Sequence, residues 1–364
     1  MRMAVFSNAW SVRHGGGVAY IAAWAQALGA LGPVDLYFTT PVQPQEIEEL
    51  YGLDLSGVCI RQVPGDQATG GPGGRWLAGL RRMVAERGYD LLVRQSPMIP
   101  RPTACRRGIL LTEFPFQKQV SWRERLYLGT YAAVVANSHF TARWIGRRWG
   151  RQAWVIHPPV RPIESLAKRP AIVAVGRFTG GKRNKHQLEM VTAFRRLREY
   201  GYPEWELHLC GIAEDTRYIE EVRQAAEGLP VHVHVDLIRA ELERVIGQAS
   251  IFWHATGVEC MEEEEPDRME HFGMSTAEAM SAGCVPIVIG RGGQPEVVGQ
   301  ELSGWTWQDW GECVEKTRQV MVEPGLCQAL AESARQQAAT FSFPCFREQV
   351  HELVRGERGD RVTG

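Results

Sequence analysis

The sequence predicts an α/β protein of two doubly wound parallel sheets. Three observations predict it. Short apolar runs alternate with helix-period segments along the whole chain. A proline-rich break splits that alternation into two series. The length of 364 residues exceeds one ordinary core and suits two domains of roughly 150–180 residues.

In the first series, Met3–Phe6, Val34–Phe38, Leu91–Val93, Ile109–Leu111, Val134–Ala136 and Val155–His157 read as strands, and Val18–Leu31 carries apolar residues at helical spacing. The break follows, with Pro158, Pro159, Pro162 and Pro170 excluding a regular element between the series. Ala171–Val175, Glu206–Leu209, His232–Val235, Ile251–His254 and Val285–Ile289 are the strands of the second series, with Leu188–Tyr200 among its helices. Ser342–Arg355 reads as a closing helix, and Gly65–Gly74 as a glycine-rich loop inside the first domain. The expected division is 1–160, 161–341 and a closing helix and tail over 342–364.

Apolar residues make up 44% and charged residues 23%, which excludes a disordered or fibrous chain. The net charge is −1, yet residues 1–160 hold 18 Lys/Arg against 10 Asp/Glu, leaving 23 against 32 for the remainder. That asymmetry predicts surfaces with different partners. Nucleic acid is not among them, since no recognised binding module occurs and total charge is near zero. The eight cysteines have no C-x-x-C pair and no zinc spacing, so they are expected as reduced thiols, mostly buried. No leader pattern precedes Met3–Phe6 and no apolar run approaches the ~18 residues of a membrane span. A cytoplasmic location is expected. Arg75–Arg87, with Trp76, Leu77, Leu80, Met83 and Val84 as an apolar stripe, is either an ordinary helix packed on the sheet or a peripheral contact with an anionic membrane.

Ligands of open α/β sheets bind at the carboxyl ends of strands, so the loops there carry the candidate chemistry. Gly15-Gly16-Gly17 opens a helix after the first strand and would let an anion approach backbone N–H groups. It is not the dinucleotide fingerprint, because Tyr20 fills the third glycine's place and no acid ends the second strand. The loop after Val175 holds Arg177, Lys182 and Lys185, a cation set suited to a diphosphate in a chain with only five lysines. The segment from Glu270 to Glu278 places two acids eight apart around Phe272, Gly273, Met274 and Ser275, where a helix begins. Ser275 and Glu278 also satisfy an S-x-x-E capping box, which explains neither Glu270 nor the small residues. The acidic run Glu262–Asp267 reads as a solvated loop, and no metal site is expected. His254 ends an apolar strand, either lining a pocket or satisfied in place.

The Glu270/Glu278 arrangement and the Ala279–Pro286 run after it resemble the family 4 (group 1) retaining glycosyltransferases of GT-B fold. Ala136–Thr141, His157–Val160, Val175–Phe178 and Phe252–Gly257 are similar to that family's signposts, in its order. The resemblance implies two Rossmann-like domains facing across a cleft. It implies sugar transfer from a nucleoside-diphosphate sugar to a glycan, lipid-linked or small-molecule hydroxyl, with retention and without a metal or cofactor. A UDP- or GDP-sugar is the expected donor. Arg177 matches the family's diphosphate arginine. Lys185 matches the lysine by its nine-residue distance from Phe194, and Lys182 by its five-residue offset from Arg177. Glu278 matches the acid on the nucleotide ribose, Glu270 the acid at the donor sugar, and Gly16 and Gly17 the first-domain glycine loop. One departure is Glu113, which stands where relatives place a histidine; His14 and His139 are nearby substitutes. The rival readings are a sugar-nucleotide epimerase or hydrolase, and a nucleotide-sugar-binding protein without transfer.

Overall fold

The computed structural model describes residues 1–7, 15–63, 84–181 and 184–357. The loop around His14, the Gly65–Gly74 loop, most of Arg75–Arg87, and Lys182 lie outside the described residues.

Two compact units divide the chain: Met1–Pro159 together with the C-terminal helix Phe343–Arg355, and Val160–Ser342. The first unit holds strands β1 (Met3–Phe6), β2 (Val34–Phe38), β3 (Val58–Gln62), β4 (Leu91–Gln95), β5 (Gly108–Thr112), β6 (Ala133–Ala136) and β7 (Trp154–Val155), in the order β3-β2-β1-β4-β5-β6-β7. The second holds β8 (Arg169–Val175), β9 (Glu206–Gly211), β10 (Val231–Val235), β11 (Ala249–His254) and β12 (Val285–Val288), in the order β10-β9-β8-β11-β12. Every pairing is parallel, as the two-face burial of runs such as Leu91–Gln95 and Val285–Val288 requires. β3 is a strand that the apolar pattern misses: it is an edge strand, its residues half-buried or exposed, and Arg61 and Gln62 break the run.

Strand order reverses beside β1 and beside β8, the switch points at which loops diverge to opposite faces. The helix Gly16–Gly29 follows β1, the loop 176–186 follows β8, and the loop 255–273 follows β11. These are the loops that carry the candidate residues.

Each unit has its own core. In the second, Ile172, Phe194, Leu207, Phe252, Ile287 and Trp307 are fully or almost fully buried. In the first, the terminal helix lays Phe346, Val350 and Leu353 against the helix Gly16–Gly29. The Phe346 ring lies 6.0 Å from both Tyr20 and Trp24, and His351 Nε2 is 2.7 Å from the Ala27 carbonyl. Arg107 donates to the Leu353 carbonyl at 2.6 Å and to that of Val354, capping the helix end. Arg94 is buried against Glu86 and the Tyr131 hydroxyl. Two arginines of the basic first domain thus serve its interior. Five of the eight cysteines are buried, Cys327 is half-buried, and Cys59 and Cys345 are exposed. Among the described residues no helix is long and apolar enough to cross a membrane.

Candidate functional site

In the second unit two elements converge on Glu270. Lys185 reaches it from the loop after β8: Nζ lies 3.1 Å from Glu270 Oε2. His254, the last residue of β11, places Nε2 3.2 Å from the same oxygen and 3.2 Å from Thr256 Oγ1. Burial opposes ionisation of Glu270, but the Lys185 ammonium, the His254 hydrogen bond and the nearby imidazoles outweigh it and hold the carboxyl well below its ordinary range. His254 is buried and its pKa is lowered, so its neutral ring donates Nε2–H to Glu270. A small recess lined by Val175, Gly176, Met190, Trp253 and Ala255 lies beside Lys185 and His254.

Glycines make this packing feasible. A Cβ on Gly176 would stand 3.0 Å from the Lys185 side chain, which lies across the backbone. Gly292 and Gly293 run beneath the Glu270 segment: a Cβ there would meet the Glu270 carbonyl at 2.4 Å and that of His271 at 2.5 Å. Gly293 N–H donates to the Glu270 carbonyl at 2.7 Å, fixing the peptide that carries the acid. The sequence signal for these two glycines is the GG-x-P pattern just past β12.

The helix Met274–Ser281 begins at Gly273, whose φ of 114° a side-chain-bearing residue rarely adopts. Its N-cap is therefore Gly273, and Ser275 lies within the first turn; the S-x-x-E capping box does not form. Instead Glu278 accepts from Arg239 Nη2 at 2.7 Å, while Arg239 Nε donates to Glu243 at 2.8 Å. The amides of Met274, Ser275 and Thr276 are the orphan donors of a helix start, and Met274 and Ser275 are only half-buried. Phe272 is buried edge-on against Phe341, anchoring the turn. Arg177 follows β8; its Nη1 donates to Glu214 at 2.7 Å and the side chain is 42% exposed, so the guanidinium is accessible. Gln187 Nε2 donates to the carbonyls of Gly176 and Arg177, pinning that loop.

In the first unit, Gly16 and Gly17 open the helix Gly16–Gly29. Glu113 lies against its start: a Cβ on Gly17 would be 2.6 Å from Glu113 Oε1. Gln95 Nε2 bridges the pair, donating to Glu113 Oε1 at 2.6 Å and to the Gly17 carbonyl at 2.9 Å. Burial pushes the Glu113 carboxyl above its ordinary range, and the Gln95 hydrogen bond only partly offsets this. His139 begins the helix His139–Trp149, exposed, with its ring 5.8 Å from that of His157.

The structure thus gathers Lys185, Glu270 and His254 at one point of the second unit, with Arg177 and the Gly273 helix start on neighbouring loops. It gathers Gly17 and Glu113 within the first.

Residues 160–337 match the model of the family described as glycosyl transferases group 1. A GDP-Man:Man(3)GlcNAc(2)-PP-Dol alpha-1,2-mannosyltransferase of Dictyostelium discoideum is 23% identical over 248 residues, 61% of this chain. The match covers 46% of that relative, so the chain spans about half its length. Among solved structures, a Rickettsia africae glycosyltransferase aligns over 98% of this chain and 97% of its own, with TM-score 0.71 and 14% identity. Anabaena HepE in complex with UDP-glucose aligns over 98% and 100%, with TM-score 0.68 and 16% identity. The fold of the chain is that of the GT-B glycosyltransferases, two parallel-sheet α/β units.

Proposed function

Residues 160–337 belong to the group 1 glycosyltransferases, and from that premise we propose that the chain moves a sugar from a nucleoside-diphosphate sugar to an acceptor hydroxyl, with retention at the anomeric carbon and without a metal ion. The convergence of Lys185 and His254 on one oxygen of Glu270, beside the open helix start at Gly273, carries this reading. A diphosphate needs neutralised charge and N–H donors. Lys185, Arg177 and the first-turn amides from Met274 supply them without an ion. Glu278, held by Arg239, offers its remaining carboxylate oxygen to ribose hydroxyls.

In the proposed reaction the bond from the anomeric carbon to the leaving phosphate oxygen breaks and a bond to the acceptor oxygen forms on the same face. The acceptor proton passes to the departing phosphate. Arg177 and Lys185 stabilise the charge that develops there. Glu270, kept ionised, binds donor-sugar hydroxyls and supports positive charge at the anomeric carbon. In the first unit, Glu113, its carboxyl pushed above its ordinary range by burial, faces the Gly16-Gly17 helix start.

The mannosyltransferase relative is named for GDP-mannose and a dolichol-linked acceptor, and HepE holds UDP-glucose. Both support a UDP- or GDP-sugar donor, and the mannosyltransferase's name supports a glycan or lipid-linked acceptor, which accommodates peripheral contact with an anionic membrane from the cytoplasmic side. The test is incubation with UDP- and GDP-sugars and lipid-linked or soluble glycan acceptors in chelator, with the product's anomeric configuration read by NMR. Retained configuration with chelator present supports the reading. Inversion, a metal requirement, or donor turnover without acceptor incorporation overturns it.

A further inference from the structure

The second sheet ends in the edge strand β10, Val231-His232-Val233-His234-Val235, paired in parallel with β9. Register sets His232 opposite His208, and the two-residue period of strands puts Glu206, His208, His232 and His234 on one face. Leu207 and Leu209 point the other way, into the core. Glu206 Oε2 lies 3.4 Å from His208 Nε2 and 3.5 Å from His232 Nε2. The three donor atoms all lie within 4.8 Å of one another.

Those distances have a chemical meaning. Ligands bound ~2.1 Å from a tetrahedral ion stand roughly 3.4 Å apart, so two of the three edges already match. The His208 and His232 rings are stacked, with centroids 4.7 Å apart and planes 22° apart. Turning both lone pairs onto one point requires rotation about χ2, a soft torsion for histidine. The other nitrogen of His208 is held as well: Nδ1 is 3.0 Å from His234 Nε2. With a metal on Nε2, the His208 proton resides on Nδ1 and is donated to His234, the outer contact that fixes a ligand histidine's tautomer and orientation.

We propose that Glu206, His208 and His232 form a binding site for a borderline divalent transition metal, Zn²⁺ being the reference ion, with His234 as the positioning residue of His208. Two imidazoles and a carboxylate leave one position for water. Zinc, cobalt and nickel suit such a set, whereas magnesium and calcium require oxygen ligands. The half-exposed side chains of Glu206 and His232, at 47% and 46%, leave the site open to an ion from solvent. Bound there, the ion ties the edge strand to its neighbour. Its nearest ligand, His208, is about 10 Å short of the carboxyl end of β9.

The sequence alone hides this site because its ligands sit on two strands 24 residues apart (His208 to His232), joined only by register. The experiment uses the full chain, stripped with chelator and titrated with Zn²⁺ by calorimetry. Far-UV circular dichroism confirms that each variant is folded. Wild type should bind one equivalent more than the double variant His208→Gln/His232→Gln. His234→Gln should keep that equivalent with affinity weakened about 10- to 100-fold. On wild type, Co²⁺ should give the strong visible bands of a four-coordinate nitrogen and oxygen site. Equal stoichiometry in wild type and double variant overturns the proposal. So does a cobalt spectrum dominated by thiolate charge transfer, which would place the ion on the exposed cysteines.

Discussion

Lys185 Nζ and Glu270 Oε2 stand 3.1 Å apart, and His254 Nε2 lies 3.2 Å from that same oxygen. One carboxylate oxygen therefore collects a cation from the loop after β8 and a neutral imidazole from the end of β11, leaving Oε1 for another partner. Conversion to Glu270→Gln should lower transfer by about 10²- to 10³-fold, the usual loss for one preorganised electrostatic group. It should also alter acid stability. The folded pKa of Glu270 lies below its unfolded value of about 4.3. Its contribution is complete above that value and fades as pH falls through the folded pKa. The melting-temperature gap between wild type and variant should therefore narrow on acidification from pH 6; a constant gap contradicts the assignment.

Arg177→Ala should separate function from folding. Its ion pair with Glu214 is an exposed one, and such pairs contribute up to about 1 kcal/mol. Transfer should fall about 10²-fold while the fold persists. Glu214→Gln releases the guanidinium and should tighten binding of the nucleoside diphosphate, as measured by calorimetry.

Lys185→Met tests which lysine holds the diphosphate. It leaves Glu270 partly buried without its cation, at a cost of about 3 kcal/mol in stability, and should raise the donor KM as well as lowering kcat. Lys182→Met should leave both constants unchanged. The reverse pattern would move the phosphate contact to Lys182.

Glu113 has the opposite pH signature. Its folded pKa lies above its unfolded value, so its contribution is complete below about pH 4.3 and is lost as pH rises through the folded pKa. Glu113→Gln, which stays neutral, should gain stability relative to wild type toward alkaline pH, measured as urea midpoints from pH 5 to 9. Gly17→Ala should push the Glu113 carboxyl, the free end of a flexible side chain, off Gln95, with the helix propensity gained, about 1 kcal/mol, offsetting much of the cost.

Arg239→Ala tests the support of Glu278. Both side chains are mostly buried, and removing the cation leaves Glu278 uncompensated, at about 3 kcal/mol. The donor KM should rise more than kcat falls if Glu278 binds the ribose.

Much of this was legible because parallel strands buried on both faces leave continuous apolar runs, as at Val285–Val288. Arg177, Lys185 and Glu270 stood out because loops at strand ends concentrate charge against an apolar background, and Glu278 because it follows Glu270 across the helix start. The contacts that organise them were not. Arg239 reaches Glu278 across 39 residues and His254 reaches Glu270 through a loop, pairings set by folding rather than by spacing. The S-x-x-E pattern has the composition of a capping box, but the backbone angle at Gly273 decides where the helix begins.

The terminal helix Phe343–Arg355 belongs to the first unit although the whole second unit is encoded before it. On the ribosome, residues 1–159 emerge with the Tyr20 and Trp24 surface still waiting for Phe346. At about 10 residues per second that wait lasts on the order of 20 seconds, long enough for Val160–Ser342 to fold on its own. Synthesis order is thereby reversed: the half of the chain made first is the half completed last. A chain truncated before Phe343 would leave the earlier unit as a persistent client for chaperones.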